Sequence, residues 1–236
     1  MQETDTRRAS VNLADIETWI FDLDNTLYRT QPEMMRQVGE LMRTFIEEFL
    51  GIDADEAYRV QKEYFVRYGL TLRGLMLEHG LDPQEYDRYL SRTDLSGIQS
   101  NPLLAERLGQ LPGRRIIYTN AFTDHTREVL ERIGISHLFD AIFDISDADY
   151  LPKPDIVSYR RLCEMYGVDP TRSAMVEDIA RNLEPAAQLG MTTVWVRTGM
   201  EWSGDPSSKS FVDYETDDLE AWLAMTAARQ PSAIRE

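Results

Sequence analysis

The sequence predicts an α/β fold, in which a parallel sheet is covered by helices on both faces and an all-helical segment is inserted after the first strand. From about residue 112 onward, short apolar runs rich in β-branched residues alternate with segments of helical periodicity. This alternation is typical of parallel sheets. Between about 30 and 111, helical periodicity continues with no strand pattern. We therefore expect an α/β core made of 1–29 and 112–236, and a helical insert made of 30–111.

The individual elements follow from apolar periodicity and from turn residues. Strands are predicted at 19–21, 114–118, 140–144, 173–176 and 192–196, where apolar residues follow one another directly. Core helices are predicted to end at Gly134, Gly167 and Gly190, since glycine commonly follows the last helical turn. A last helix is expected at 218–227, and polar tails are expected at 1–14 and after 227.

Within the insert, helix-start signals divide the chain. Pro32 and Asp82-Pro83 suit the first turn of a helix, and Asp53 with Glu56 resembles a capping box. Gly69 and Gly74 bracket a short segment, for which we expect a bend toward the core. Apolar residues recur at helical spacing and are interpreted as core positions, not as a cofactor pocket: Met34, Val38, Met42, Phe45 and Phe49.

Composition and charge indicate which classes of binding partner are disfavoured. The chain has 236 residues, with 25 Lys and Arg against 41 Asp and Glu, for a net charge of −16. This balance disfavours a nucleic-acid polymer or an anionic membrane as partner, but permits a small anionic substrate if a metal or local cations offset the field. Cys163 is the one cysteine, so no internal disulfide forms. With no signal peptide and no apolar run near the ~18 residues of a membrane span, we expect a cytoplasmic protein, as a monomer or homodimer.

Two carboxylates mark the end of the first predicted strand. Asp22 follows Trp19–Phe21 directly, and Asp24 lies two positions further on. Side chains alternate along an extended chain, so both acids are expected on the same side. Like charges held this close indicate a bound divalent cation or a division of labour between a nucleophile and an acid/base. Taken alone, the pair is equally compatible with a solvated acidic turn.

Other predicted strand ends and loops also carry polar or charged residues. Thr119-Asn120 follows the second predicted strand, Glu177-Asp178 follows the strand through Val176, and Lys153 precedes the helix that begins near Pro154. Parallel sheets place their ligands at the carboxyl ends of the strands. We therefore expect these side chains to converge on one edge of the sheet.

Together, these segments resemble the four motifs of the haloacid dehalogenase superfamily, in its phosphatase branch. The resemblance rests on Asp22-Leu23-Asp24-Asn25-Thr26, Thr119-Asn120, Lys153-Pro154 and Glu177-Asp178-Ile179-Ala180-Arg181-Asn182, in this order. It implies a Rossmann-like core with a C1-type helical cap between the first and second motifs. It also implies a Mg²⁺-dependent phosphomonoesterase that acts through an aspartyl-phosphate.

The resemblance also implies roles for individual residues. Asp22 would be the nucleophile, and Asp24 would protonate the leaving oxygen and then accept a proton from water. Asp22, the Asp24 carbonyl and Asp178 would hold Mg²⁺. Thr119, the Asn120 backbone and Lys153 would bind and neutralise the phosphoryl group, with support from three further residues: Thr26, Glu177 and Asn182.

A finer resemblance concerns the substrate. The segments 24–28 and 68–75 are similar to those of the pyrimidine 5′-nucleotidase group, which implies nucleoside 5′-monophosphates as substrates, with pyrimidines preferred. Arg73 would then hydrogen-bond a base or sugar, and Tyr28 or Tyr68 would stack on a ring; packing within the insert is the alternative for each.

Other functions remain open at this point. One alternative is a sugar-phosphate or phosphoglycolate phosphatase with the same core. A non-hydrolytic switch that accepts phosphate on aspartate is a less favoured alternative, because the second acid and the long insert favour turnover. A dehalogenase is disfavoured, since carbon–halogen cleavage does not need the proton that Asp24 would supply.

Overall fold

A six-stranded parallel sheet forms the centre of the computed structural model, which describes residues 13–200, 203 and 210–228. The strands stand in the order β3-β2-β1-β4-β5-β6. Their bounds are Thr18–Phe21 (β1), Arg114–Tyr118 (β2), Ala141–Phe143 (β3), Ser173–Glu177 (β4), Thr192–Val196 (β5) and Tyr214–Thr216 (β6). All neighbouring strands are parallel, which confirms the predicted sheet.

Helices lie between the strands and in the insert. Their bounds are Pro32–Leu50 (α1), Ala54–Tyr68 (α2), Thr71–His79 (α3), Pro83–Leu90 (α4), Pro102–Gly109 (α5), Thr123–Ile133 (α6), Ile156–Tyr166 (α7), Leu183–Leu189 (α8) and Leu219–Ala228 (α9). No helix within the described part of the chain has both the length and the apolar character needed to cross a bilayer.

The two faces of the sheet are buried in two separate apolar clusters. Trp19 and Phe21 of β1 lie in one cluster, whereas Ile20 lies in the other. This division follows from the alternation of side chains along a strand. Residues of α6 and α9 cover the first face, and residues of α7 and α8 cover the second. The central strand is thus buried on both sides, as in other parallel sheets.

Helices α1–α4 form the helical insert, whose apolar residues form a third cluster that Phe122 and Ile145 of the core also join. Two of the predicted helix starts are confirmed by capping bonds: the Asp53 side chain accepts from Glu56 N at 2.9 Å, and the Asp82 side chain accepts from Gln84 N at 2.9 Å. Each bond satisfies a backbone donor that the first turn leaves unpaired. Pro32 lies in the first turn of α1, as predicted.

The segment after Gly69 is helical and begins close to the core. Gly69 has φ 77° and ends α2, but Thr71–His79 is a helix and contains Gly74. A Cβ on Gly74 would lie 2.4 Å from Cγ of Tyr64. Gly74 is therefore the residue that lets α2 and α3 approach closely. A Cβ on Gly69 would lie 3.1 Å from Cγ of Pro152 in the core, so the start of the segment does lie toward the core, as expected.

Helix α5 packs with the core and not with the insert. Leu104 and Leu108 are buried in the cluster on one face of the sheet, and Asn101 donates to Glu220 of α9 at 2.7 Å. Leu95 belongs to the same cluster. The packing of the insert thus ends near α4, earlier than the expected boundary at 111.

Two smaller differences occur at the ends of the chain. Leu13, within the predicted tail, is 4% exposed and begins a short 3-10 turn, so the apolar core starts earlier than expected. The remaining tail predictions, at 1–12 and 229–236, lie outside the described residues. Strand β6 was not predicted, because its three residues lie at the sheet edge, none is buried, and they form no apolar run.

Candidate active site

A cavity of about 360 Å³ lies between the carboxyl ends of the strands and the helical insert. The structure brings most of the residues singled out in the sequence to this cavity: Asp22, Asp24, Tyr28, Thr119, Asn120, Lys153, Glu177, Asp178 and Asn182. Thr26 is linked to these residues by a hydrogen bond, in which its hydroxyl donates to Asp22 Oδ2 at 2.9 Å. Residues from four distant segments of the chain therefore share one site.

Lys153 is the buried cation at the centre of the site. Its Nζ donates to Asp22 Oδ1 at 2.5 Å, to Glu177 Oε2 at 2.6 Å and to the Tyr118 carbonyl at 3.1 Å. Burial alone would lower the pKa of Lys153, but the Asp22 and Glu177 carboxylates raise it above its ordinary value. The ammonium is thus charged, and removing it would leave two buried carboxylates uncompensated.

The second and third motifs are joined by the side chain of Asn120. Its Oδ1 accepts from the backbone N–H of Lys153 at 3.0 Å, which attaches the loop before α7 to the end of β2. Thr119 is buried, and its Oγ1 accepts from Ala121 N at 3.0 Å. Because Thr119 accepts in this bond, its hydroxyl proton can be donated to an oxygen in the cavity.

Asp22 is held through both carboxylate oxygens, by Lys153 at Oδ1 and by Thr26 at Oδ2. Its backbone N–H donates to the Val176 carbonyl at 2.9 Å, so the side chain projects just where β1 and β4 end together. Burial, with the nearby charge of Glu177, raises the pKa of Asp22 to about 7, although Lys153 opposes this shift. The orientation of the carboxylate is therefore fixed, whereas its ionised form is only partly stabilised.

Three carboxylates form a cluster suited to a divalent cation. Asp22, Glu177 and Asp178 each offer one oxygen, and these oxygens all lie within 4.8 Å of one another. Asp178 Oδ2 is buried and has no hydrogen-bond partner in the structure. Burial, followed by the charges of Glu177 and Asp22, raises the pKa of Asp178 to about 9. A buried oxygen without a partner is costly, so this all-oxygen set fits a hard cation such as Mg²⁺.

Within this cluster, Glu177 and Asp178 differ in the hydrogen bonds that their carboxylate oxygens accept. Both oxygens of Glu177 accept hydrogen bonds, from Lys153 Nζ at 2.6 Å and from Ile179 N at 3.2 Å. Asp178 keeps a free carboxylate oxygen, while its backbone carbonyl accepts from the Trp195 indole at 2.9 Å. Asp178 is therefore the better candidate for a metal ligand, and Glu177 is better placed to orient its neighbours.

The loop after β1 turns sharply and places Asp24 at the cavity. Asn25 adopts a left-handed conformation, with φ 60°, which asparagine tolerates better than most residues. Its Oδ1 accepts from the backbone and the hydroxyl of Thr30, at 3.1 and 2.5 Å. Tyr28 donates its hydroxyl to Asp24 Oδ1 at 2.5 Å. Burial, and then the charge of Asp24, raise the pKa of Tyr28 above its ordinary value.

The wall of the cavity on the insert side is mostly apolar. It includes three residues of α1 that the sequence assigned to a core: Met34, Val38 and Met42. Met42 also packs against the cluster that contains Phe45, and Met34 packs against the cluster on one face of the sheet, so these residues serve both a core and the cavity. Sequence periodicity marks an apolar face but not what covers it. Further lining residues were not predicted as site residues: Met35, Leu70, Leu72, Tyr86, Asp87 and Leu90 from the insert, and Phe122 and His125 from the start of α6 in the core.

Two residues proposed to contact a ligand do not line the cavity. Tyr68 donates its hydroxyl to Glu78 of α3, and its ring lies under the guanidinium of Arg67, 4.9 Å from the centroid. Arg73 lies in α3, whose residue Leu72 lines the cavity, but Arg73 itself is not among the lining residues. The sequence interpretation of Tyr68 and Arg73 therefore has no support from their positions, whereas Tyr28 does line the cavity.

The sequence is similar to a known protein family and to individual proteins. The family model described as "Hydrolase: haloacid dehalogenase-like hydrolase" matches residues 16–190. The chain is 26% identical over 191 residues to the Phosphate metabolism protein 8 of Saccharomyces cerevisiae, and the match covers 74% of this chain and 60% of the yeast protein. It is 25% identical over 220 residues to the Glyceraldehyde 3-phosphate phosphatase of Pyrococcus furiosus, covering 86% of this chain and 90% of that protein.

The fold is also similar to solved structures. The HAD phosphatase from Thermococcus onnurineus superimposes with a TM-score of 0.60 and 24% sequence identity. The superposition covers 89% of this chain and 97% of that one. At this identity, the likeness establishes a shared fold.

Proposed function

Since the chain belongs to the haloacid dehalogenase-like hydrolase family, we propose that it is a Mg²⁺-dependent phosphomonoesterase that forms an aspartyl-phosphate on Asp22. The observation that carries this proposal is the set of charges at the sheet edge. Asp22 is held by the buried Lys153 at 2.5 Å, one of its oxygens lies within 4.8 Å of an oxygen of Asp178, and Asp24 lies two residues further along the same loop.

In the first half of the reaction, an oxygen of Asp22 attacks phosphorus, and the bond between phosphorus and the leaving oxygen breaks. Asp24 gives its proton to that oxygen, so that the product leaves as an alcohol. In the second half, water attacks phosphorus, Asp24 accepts a proton from it, and the bond to Asp22 breaks. Phosphate leaves and both carboxyl groups return to their starting state.

The remaining side chains hold the phosphoryl group. The Lys153 ammonium faces the nucleophile and offsets negative charge there, and the Thr119 hydroxyl has a proton to donate to a phosphoryl oxygen. Their partners within the chain fix both groups before substrate binds, so little reorganisation is needed during the reaction.

Asp22, Asp178 and the Asp24 carbonyl would hold the cation. When bound, Mg²⁺ supplies positive charge against the repulsion between a carboxylate and a phosphate dianion, which is about 1 kcal/mol per charge pair at ~4 Å even at the dielectric of water. The residues present fit this requirement, because the free oxygen of Asp178 is buried and unpartnered.

For the substrate, we propose nucleoside 5′-monophosphates, with pyrimidines preferred. Two observations support this choice: the resemblance of segments 24–28 and 68–75 to pyrimidine 5′-nucleotidases, and the apolar wall opposite the catalytic residues. Val38, Leu72 and Phe122 offer a surface on which a planar ring can pack. Arg73 does not line the cavity, so ring recognition is assigned to this wall instead.

A sugar-phosphate phosphatase is the second candidate. It is favoured by the similarity to the Pyrococcus furiosus protein, whose name specifies glyceraldehyde 3-phosphate. Phosphoglycolate belongs to the same chemical class of small polar esters. Such substrates have little apolar surface to bury against the insert wall, which is why we rank them second.

A panel of phosphate esters tests the proposal. Purified protein with Mg²⁺ is assayed for phosphate release from UMP, CMP, AMP, glyceraldehyde 3-phosphate and phosphoglycolate, with Asp22→Asn as the control. We expect the highest kcat/KM for UMP or CMP. Faster turnover of the small polar esters would favour the second candidate. No release from any ester, together with a stable phosphorylated Asp22, would identify a switch and overturn the proposal.

A further inference from the structure

The loop after β1 joins the candidate acid/base to a tyrosine four residues later. The Tyr28 hydroxyl donates to Asp24 Oδ1 at 2.5 Å, and both residues line the cavity. We infer that Tyr28 is a positioning residue, which fixes the Asp24 carboxyl for proton transfer to the leaving oxygen. This inference rests on the proposed function, in which Asp24 is the general acid.

The backbone around Tyr28 is held from several sides. Asp24 and Tyr28 form an isolated parallel bridge, and Leu27, which is 3% exposed, donates its N–H to the Leu23 carbonyl at 3.0 Å. Asn25 accepts two bonds from Thr30, which close the loop beyond the tyrosine. The hydroxyl therefore belongs to a fixed part of the structure, as positioning of a catalytic group requires.

The hydrogen bond from Tyr28 to Asp24 has a chemical consequence for each half of the reaction. It occupies Oδ1 of Asp24 and leaves Oδ2 to carry the transferred proton. As the proton moves to the leaving oxygen, negative charge develops on the carboxyl group, and a hydroxyl donor stabilises that charge. The same donor then holds the carboxylate in place while it accepts a proton from water.

A competing role for Tyr28 is that of a cavity wall, in which the ring packs against substrate. The two roles differ in which atom matters. Tyr28→Phe keeps the ring and removes only the oxygen, so a wall residue would tolerate it. A positioning residue would not, and the loss would be greatest for leaving groups that depend most on protonation.

The test measures kcat/KM for wild type and Tyr28→Phe with a series of esters that runs from p-nitrophenyl phosphate, a good leaving group, through phenyl phosphate to alkyl phosphates. We expect the loss to be about tenfold greater for alkyl phosphates than for p-nitrophenyl phosphate, which is a part of the roughly 10²–10⁴-fold that general acid catalysis contributes in full. An equal loss throughout the series, no loss, or a loss confined to KM would overturn the inference.

Two further variants make the result specific. Tyr89→Phe is the matched control, because Tyr89 also donates its hydroxyl to a carboxylate, Glu48 Oε1 at 3.0 Å, but lies outside the cavity lining. It should leave the whole series unchanged. Asp24→Asn should show at least the leaving-group dependence of Tyr28→Phe. If Asp24→Asn shows none while wild type is active, the proposed role of Asp24 fails; if only Tyr28→Phe shows none, the present inference alone fails.

Discussion

The two sides of the cavity are built on different physical principles. On the sheet side, charged groups bind one another: Lys153 has three acceptors, and both oxygens of Asp22 are occupied. On the insert side, the wall is formed largely by apolar side chains such as Val38 and Met42. The sheet side thus has directional, interdependent contacts, whereas the insert side offers shape and apolar surface.

This difference predicts how each side responds to substitution. A buried ionic network loses much of its function when one member is removed, because the remaining charges are left uncompensated. An apolar wall changes gradually, since its contribution scales with the area buried, at about 25 cal/mol per Å². We therefore expect the chemistry to depend on the sheet side and substrate preference on the insert side.

The largest effect is expected for Asp22→Asn, which removes the nucleophile while keeping its shape. We expect hydrolysis of every ester to fall by more than about 10⁴-fold, as in other enzymes that lose a nucleophile. Phosphate release measures activity, and circular dichroism checks that the fold is intact. Substantial turnover in a folded Asp22→Asn protein would remove Asp22 from its assigned role.

Removal of the metal should have the next largest effect. Treatment with EDTA should stop hydrolysis and added Mg²⁺ should restore it, while Asp178→Asn should lower activity by about 10²-fold or more. Mg²⁺ at 100 times its Kd should also stabilise wild type by about 2.7 kcal/mol, seen as a rise in Tm. We expect no such rise in Asp178→Asn.

Glu184→Gln is the matched control for Asp178→Asn, because it makes the same acid-to-amide change at an exposed position in α8. It should keep both the activity and the Mg²⁺-dependent rise in Tm. Full activity after exhaustive chelation, or an unchanged Mg²⁺ response in Asp178→Asn, would contradict the assigned metal site.

A smaller and selective effect is expected on the insert side. Val38→Thr places a hydroxyl on the apolar wall with almost no change in volume. We expect the ratio of kcat/KM for UMP to that for glycerol phosphate to fall by about tenfold. Val66→Thr, at a position of α2 that is 83% exposed, is the control and should leave the ratio unchanged. Equal losses on both substrates in Val38→Thr would show that the wall does not discriminate.

The smallest effect is expected for Arg73→Ala. Because Arg73 lies outside the cavity lining, we expect kcat/KM for UMP and for glycerol phosphate to change by no more than about twofold, as for surface substitutions elsewhere. A selective loss of UMP hydrolysis would restore the ligand role suggested by the sequence. It would also show that the insert adopts a second arrangement in the complex.

Much of the sheet side could be predicted from the sequence because its signals are local. An apolar strand followed by Asp22, or by Thr119, is visible within a few residues, and parallel topology brings such strand ends to one edge. The structure accordingly places Asp22 and Asp178 close enough to share an ion. Burial, hydrogen-bond partners and the orphaned oxygen of Asp178 are tertiary properties, which local patterns do not contain.

The insert side was poorly predicted for the same physical reason. Met34 and Phe45 follow one apolar stripe of α1, yet the first faces the cavity and the second lies in the cluster of the insert. Which part of the stripe meets the sheet depends on how the insert docks. Gly74 likewise lies inside α3, against the ring of Tyr64, and this contact is not visible in the sequence. Docking and helix contacts depend on residues distant in sequence, so periodicity alone does not resolve them.

The indole of Trp195 gives the site an optical property. Its N–H donates to the Asp178 carbonyl at 2.9 Å, so the fluorophore reports directly on the loop that carries the proposed metal ligand. The emission of an indole depends on the polarity and hydrogen bonding around it. Titration of unlabelled protein with Mg²⁺ can therefore be followed by fluorescence. Trp195→Phe is the control, because its signal comes from the other three tryptophans alone.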